Sequence, residues 1–489
     1  MKLFSSSVAR LTPGWRHILE EWPLLCHFVT GLCFYNDFLF HMPLTRLFVI
    51  LFILASGLIP LHGKSAEVET LTWEECLLEA ASGNPDLRIS DESVRQAEAQ
   101  RKIDRADLLP SFSFEAGGRR YGTIAGSSSQ TASEDGSSGV DKAKTGGDDD
   151  GSLSLSLSAS QLLYDGGKTR SQVKSADQTV KAEQYAAAVV SSETRFALRS
   201  AFIELLKAQE QIGIAREIVE RRSQNLRLIG LRYQAGREHL GSLSKARADE
   251  ARAKFDLQSA VRSLETAQLR LETLLGRRTF FPVKATGSFV INTPVSTRPD
   301  FDALVSSHPS FREVAARKEA SRYSVEVARN QFMPKVSLTS SLGNSSFDYS
   351  DLDEDGLDWQ AGIVISVPIY QGGAGSAGVA KARSVMYQHD AREKSTRLSL
   401  IRNLEERWNS MKDAVDNVSV QKQYLDAAAE RSRIAEAQYS TGLLSFNEWI
   451  ILEDAVVSAK MSYLNARADM LTEEARWIQA KGGTLEQSR

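Results

Sequence analysis

The stretch Leu198–Gly236, LRSAFIELLKAQEQIGIAREIVERRSQNLRLIGLRYQAG, decides how this chain folds. Leu198, Ala201, Leu205, Ala208, Ile212, Ala215, Val219, Leu226, Ile229 and Tyr233 recur at alternating steps of three and four, with Arg222 as the polar interruption. Those steps gather the residues on one stripe of a helix, and their regularity is that of a coiled-coil seam. Outward from the stretch, no proline occurs from Gly167 to Ala235, and the internal glycines are Gly213 and Gly230. A helix of that extent rises about 1.5 Å per residue and spans roughly 100 Å, too long for a globular bundle. After Gly236 the chain turns, and a second helix returns to Gly276, where glycine suits a left-handed cap.

The same plan occurs twice. SGNPDLR (Ser82–Arg88) recurs as SSHPSFR (Ser306–Arg312), and LLPSFSF (Leu108–Phe114) as FMPKVSL (Phe332–Leu338), both displaced by 224 residues. YDGG (Tyr164–Gly167) recurs as YQGG (Tyr370–Gly373), YQAG (Tyr233–Gly236) as YSTG (Tyr439–Gly442), and Gly276 as Gly482, all displaced by 206. The offset falls by 18 between Pro110 and Tyr164, which places the extra residues of the first copy in the Gly/Ser/Asp tract 122–151. Such a tract has little to bury and reads as a loop. Elsewhere the copies keep length residue for residue, as paired long helices must. Leu404, Trp408, Met411, Val415, Val418 and Leu425 repeat the seam in copy two.

Each copy also carries a helix and a hairpin ahead of its long helix. Asn84-Pro85 and His308-Pro309 put proline at a helix start, and Pro110 and Pro334 stop these helices after Leu109 and Met333. Leu153, Leu155 and Leu157 then alternate with serines, as Ile363, Ile365, Val367 and Ile369 alternate with smaller or polar residues. Phe112, Phe114 and Ala116, and Val336, Leu338 and Leu342, give two weaker cases. Period two makes a strand with one apolar and one polar face, and about ten residues is what a tilted strand needs to cross a bilayer. The second hairpin loop is read at 344–358. Four such strands leave open edges that lipid does not tolerate. Several copies must therefore share one barrel: two give eight strands with a filled interior, three give twelve with room for a lumen.

The chain divides into an N-terminal extension and signal peptide (1–66), a first repeat (67–288) and a second repeat (289–489). The signal rests on Arg46 followed by LFVILFILASGLIPL (Leu47–Leu61), an apolar run short for a spanning helix. Met42 offers a second start, so Met1 and Met42 both stand open. The whole sequence has 489 residues, 42% hydrophobic and 25% charged, with a net charge of −3. Nucleic-acid binding is disfavoured by the missing basic excess. Only Cys76 lies beyond the N-terminal region, so the repeats hold no disulfide. No catalytic, cofactor or metal motif appears. GGKT (Gly166–Thr169) lacks the upstream glycine of a phosphate loop, and Asp351-x-Asp353-x-Asp355 lacks the closing glutamate of a calcium loop, since Gly362 stands there.

The ordered and doubled set NPDLR, LLPSFSF, LLYDGGKTR and YQAG, then HPSFR, FMPKVSL, VPIYQGG and YSTGLLSFNEW, resembles the TolC family of outer-membrane efflux proteins from Leu71 to Gly482. The resemblance implies a mixed, mostly α fold, in which long antiparallel coiled-coil helices form an α-barrel. Four transmembrane β-strands per chain complete a 12-stranded β-barrel in a homotrimer. It also implies an exit duct in the Gram-negative outer membrane with a long periplasmic part, serving a tripartite efflux pump or type I secretion. The partners it implies are outer-membrane lipid, a periplasmic adaptor and an inner-membrane ABC or proton-driven transporter. Tyr233 with Gly236, and Tyr439 with Gly442, Leu443, Leu444 and Ser445, become adaptor-docking tips. Glu448 becomes a candidate constriction residue, although Ile451 stands where the family often has a second acid. Gly166, Gly167, Gly372 and Gly373 become the bends between barrel and helices. The competing reading is an envelope coiled-coil protein, structural or adhesive, without a channel. Paired ten-residue strands and equal helix lengths in the two copies speak against it.

Overall fold

Proline and a side-chain cap open each repeat. Asn84 Oδ1 accepts hydrogen bonds from Asp86 N (2.9 Å) and Leu87 N (3.3 Å), and His308 Nδ1 accepts one from Ser310 N (3.1 Å). Each cap satisfies amides that a helix start leaves unpaired. The computed structural model describes residues 69–121, 150–290, 297–348 and 357–486. In chain order they form β1 (Glu69–Leu71), α1 (Trp73–Gly83), α2 (Pro85–Ala106), β2 (Ser111–Tyr121), β3 (Asp150–Tyr164), α3 (Lys168–Gln234) and α4 (Leu240–Leu275). The second half follows with β4 (Val283–Ala285), α5 (Phe301–Ser307), α6 (Pro309–Asn330), β5 (Lys335–Asp348), β6 (Asp358–Ser366), α7 (Ala374–Thr441) and α8 (Phe446–Ala480). The repeat is close: α2 and α6 have 22 residues each, α3 and α7 have 67 and 68, and α4 and α8 have 36 and 35.

Several boundaries differ from the sequence expectation. Helices α2 and α6 end three residues early, and their last residues tighten into turns, Leu109 N to Ala106 O (2.9 Å) and Met333 N to Asn330 O (3.0 Å). A residue before proline disfavours the α conformation, so the stop propagates backwards. Strand β6 ends at Ser366, since Pro368 has no amide to give to the ladder and leaves Val367 and Ile369 outside it. Strand β5 runs on to Asp348, into the segment read as loop. Residues 1–68, 122–149 and 349–356, which carry the signal, most of both loops and the acidic Asp351–Asp355 run, lie outside the described residues.

The strands β2-β3-β5-β6 make one antiparallel sheet in that order, so β3 and β5 join the two repeats. The helices follow the same order, with α2 on α3, α3 on α6 and α6 on α7, while α4 returns along α3 and α8 along both α7 and α3. Leu198, Ala201, Leu205, Ala208, Ile212, Ala215 and Ile229 of the predicted seam are buried, and Val219 and Leu226 are half-buried. Helix α1, α5 and the parallel pair β1–β4 were not legible as elements. Three-residue strands are too short to show alternation, and β4 is held by glutamines: Gln209 bonds both N and O of Ala285 (3.0 Å each), and Gln268 donates to Val283 O (2.7 Å). This belt closes the largest apolar cluster, built around Phe202, Leu205, Leu271 and Leu464. Among the described residues no helix is long and apolar enough to cross a membrane.

Candidate functional site

Sheet and long helices meet at four glycines. Gly166, Gly167, Gly372 and Gly373 have φ of 69°, 83°, 60° and 83°, the left-handed region that favours glycine. At Gly166 space matters as well, because a Cβ would fall 2.1 Å from the Met333 Cβ. Asp165 fastens the first bend, its carboxylate accepting from Gly167 N (3.1 Å), Thr169 N (2.7 Å) and Thr169 Oγ1 (2.5 Å).

The sheet has two chemically different faces, which the strand register assigns. Phe114 pairs with Leu157, Leu157 with Leu342 and Leu342 with Trp359, so these four share one face. Phe112, Leu338, Ile363 and Ile365 join them, and Phe114 and Trp359 are 69% and 77% exposed. The opposite face carries Ser113, Ser158, Ser341 and Gln360 in one row, and Ser111, Ser160, Thr339 and Gly362 in the next. Its hydroxyls lie against the wall: Ser113 and Ser158 Oγ are 2.7 Å apart, and Ser154 Oγ donates to Gly117 O (3.2 Å). An exposed apolar face backed by a hydroxyl face is a membrane strand pattern, lipid outside and water inside.

At the other end the long helices turn. Gly236 and Gly442 have φ of 68° and 81°, with open space where a Cβ would stand. Leu443 is 81% exposed and Tyr233 40%. Tyr439, expected on the docking face with them, lies inside instead at 3% exposure. It stacks on Trp449 (centroids 4.6 Å apart, 12° between planes) and packs with Phe446, Ile450 and Ile229. Its hydroxyl donates to Glu238 Oε2 (3.0 Å), and burial, reinforced by that carboxylate, pushes its pKa up to about 12. Leu444 packs against the same cluster. Ser445 and Glu448 form a capping box on α8. Glu448 N donates to Ser445 Oγ (3.3 Å), and Ser445 N (3.1 Å) and Oγ (2.8 Å) donate to Glu448 Oε2, which keeps the carboxyl below its ordinary range. The pattern Ser-x-x-Glu was the available signal for this cap.

Between tip and belt the two repeats are joined by charge. Arg221 of α3 bonds the nearly buried Glu453 of α8 through Nε (2.5 Å) and Nη2 (2.9 Å) and reaches Glu436 of α7 (3.1 Å). Ser432 adds a further bond to Glu453, and Arg222, which interrupts the seam, is buried against Asp454. Sequence reading missed this network because Arg221 and Arg222 lie more than 200 positions from their acidic partners. Among the described residues no group of His, Cys, Asp and Glu could hold a metal ion.

Two membrane hairpins, each feeding a long helical hairpin with glycine tips, define a class, the outer-membrane channel with a helical stem. The family model described as "Outer membrane efflux protein" matches residues 77–277 and 302–483, one segment in each repeat, and the chain belongs to that family. It is an outer-membrane efflux channel of the Gram-negative envelope, TolC-like in fold, and not an enzyme. Its family comprises trimeric channels that work with pump components in tripartite systems. Cation efflux system protein CusC of Escherichia coli is 22% identical over 419 residues, covering 83% of this chain and 85% of that protein. Pyoverdine export outer membrane protein OpmQ of Pseudomonas aeruginosa is 24% identical over 431 residues, covering 85% and 86%. Among solved structures, CusC matches with a TM-score of 0.72 at 21% identity over 84% of this chain and 92% of that one. The CmeC outer membrane channel of Campylobacter jejuni matches with 0.71 at 20% identity over 85% and 86%.

Proposed function

We propose that three copies of this chain close their sheets into one 12-stranded barrel and line up their helices as a periplasmic stem. The observation that carries this is the sheet itself: its apolar face is exposed, and among the described residues β2 and β6 are edges with no further strand beside them. Backbone groups left unpaired in lipid cost several kcal/mol each, so another copy must supply the missing strand. Helix α7 argues the same way. Tyr387, Leu398 and Tyr424 are 64%, 68% and 66% exposed along it, whereas Ser192 and Ile218 of α3, the counterparts of Leu398 and Tyr424, are buried and half-buried. An adaptor would meet the exposed tip residues Gly236, Gly442, Leu443 and Tyr233, with Ser445 at the rim, while Tyr439 and Leu444 hold the turn from within. Glu448 Oε1 is free of the cap and gives each copy a carboxylate near the bore, with Ile451 (58% exposed) beyond it. The cargo is proposed to be small solutes, since the relatives above carry out cation efflux and pyoverdine export by name. An inner-membrane transporter would drive them.

Single-channel recording on the chain purified from outer membranes tests the reading. Discrete currents from a heat-dissociable trimer support it, with a cation preference reduced in Glu448→Gln. A monomer, or a trimer without current even after the tip turns are disrupted, refutes it.

A further inference from the structure

The two tip turns share the Tyr-x-x-Gly frame and a left-handed glycine but cap the returning helix with different residues. The N-cap of α8 is Ser445, and its counterpart 206 residues earlier, the N-cap of α4, is His239. His239 Nδ1 accepts the Ser242 amide (3.2 Å) and Nε2 lies 3.2 Å from Ser242 Oγ. Only the neutral ring with its proton on Nε2 has the lone pair this cap needs. Ser242 Oγ in turn donates to Glu238 Oε1 (2.8 Å), and Glu238 Oε2 accepts from the buried Tyr439 hydroxyl (3.0 Å). His239 therefore stands at the solvent end of a chain of hydrogen bonds. The chain runs from the first repeat's tip into the aromatic cluster of the second. Its side chain is 79% exposed, so protons reach it freely.

We propose that His239 is a proton sensor that loosens the joint between the two tip turns when the solution at the tips acidifies. The proposal rests on reading the tips as the periplasmic end of the duct. Protonation puts an N–H on Nδ1, facing the Ser242 N–H, so the cap is lost. The new positive charge sits at a helix N-terminus, where the dipole disfavours it. Glu238 Oε1 is 3.9 Å from Nε2 and draws the imidazolium, competing with Ser242 and Tyr439 for one carboxylate. A buried Tyr439 hydroxyl without its acceptor is costly, so the stack on Trp449 repacks. The charged and titratable groups facing this site are few. Arg232 at the end of α3 lies 4.3 Å above the Tyr439 ring and donates to Ser440 O (3.1 Å), Glu238 comes from the turn and Tyr439 from α7. Helix α8 contributes Phe446, Trp449 and Ile450, which do not titrate. Burial works against the charge on Glu238, yet donors from Ser242, Tyr439 and the His239 amide hold its carboxyl below the ordinary range.

The test compares the full chain with His239→Ser, which puts the second repeat's N-cap residue type, a hydroxyl that does not titrate in this range, at the same position. Open probability in planar bilayers is recorded as the tip side goes from about pH 7.5 to about pH 5.5, across the histidine range. Amide exchange of the first turn of α4 is followed over the same step, corrected for intrinsic rates. The expected result is a several-fold rise in open probability and a roughly fivefold loss of protection in the native chain, the size of one lost cap, with neither in His239→Ser. An unchanged response in His239→Ser, or no response in the native chain, overturns the proposal. A folded chain that never conducts counts against the duct. Its exchange data still decide the histidine, because they need only the folded tip.

Discussion

His308 and Asn84 occupy the same position in the two repeats and solve the same problem, an unsatisfied helix start, with different chemistry. Asn84 does not titrate, and its Nδ2 also donates to Leu274 O (2.8 Å). His308 is 7% exposed, and burial holds its pKa below the ordinary value. The folded state thus prefers the neutral ring, so its contribution is complete above the unfolded pKa of about 6.5 and is lost as pH falls through the lower folded value. We predict that the melting temperature drops on going from about pH 7.5 to about pH 5, and that His308→Asn reduces this drop. Glycines separate into two kinds at this scale. A Cβ on Gly276 (φ 79°) would stand 2.1 Å from Gly83 O, where two backbones cross. Gly276→Ala is expected to destabilise by at least 1–3 kcal/mol, roughly. Gly213, inside α3, has nothing within 4 Å of its Cβ position, and Gly213→Ala is expected to stabilise by about 1 kcal/mol. Denaturant titration of the two variants checks both signs. The positive-φ turns were readable in advance because YQAG and YSTG put glycine where the pattern breaks. Glu448 was read only as a lumen charge, because its role in the cap depends on Ser445 three positions earlier.

At the scale of elements, the strands show what a period of two can and cannot tell. Alternating leucine and serine in β3 fixed its two faces before any pairing was known. It could not say which strand lies beside which: β3–β5 pairing, with irregularities at Leu153/Leu155 and Leu162/Tyr164, comes only from the folded sheet. The faces make a sharp prediction. Phe114→Arg puts a charge on the lipid face and is expected to cost roughly 2–4 kcal/mol if near mid-bilayer, seen as loss of assembled protein from outer membranes. Ser158→Arg, beside it on the hydroxyl face, is expected to assemble normally and to alter ion selectivity instead. Equal assembly of both variants would contradict the assignment of faces.

At the scale of the molecule, the two repeats form one body because long helices of one lie against helices of the other. Arg221 is the clearest joint: it leaves the first repeat to bind Glu453 and Glu436 of the second. Glu453 is 3% exposed, so Arg221→Met strands a nearly buried carboxylate beside Ser432. Breaking a buried pair from one side costs more than replacing both partners. Arg221 itself is about half exposed, which lowers the figure, and we expect a loss of roughly 2 kcal/mol for Arg221→Met. Arg221→Met with Glu453→Gln is expected to recover part of it. Thermal unfolding of the two single variants and the double variant gives the coupling directly.

Local periodicity was enough to define the long helices, the two-faced strands, the glycine turns and the doubling of the whole plan. Each of these is written within a few turns of helix or one strand, where side-chain spacing alone decides the outcome. The order of strands, the glutamine-held belt, the inward turn of Tyr439 and the Arg221–Glu453 joint were decided only by tertiary structure. They pair residues tens to hundreds of positions apart, and for such pairs no spacing in the chain distinguishes a partner from a bystander.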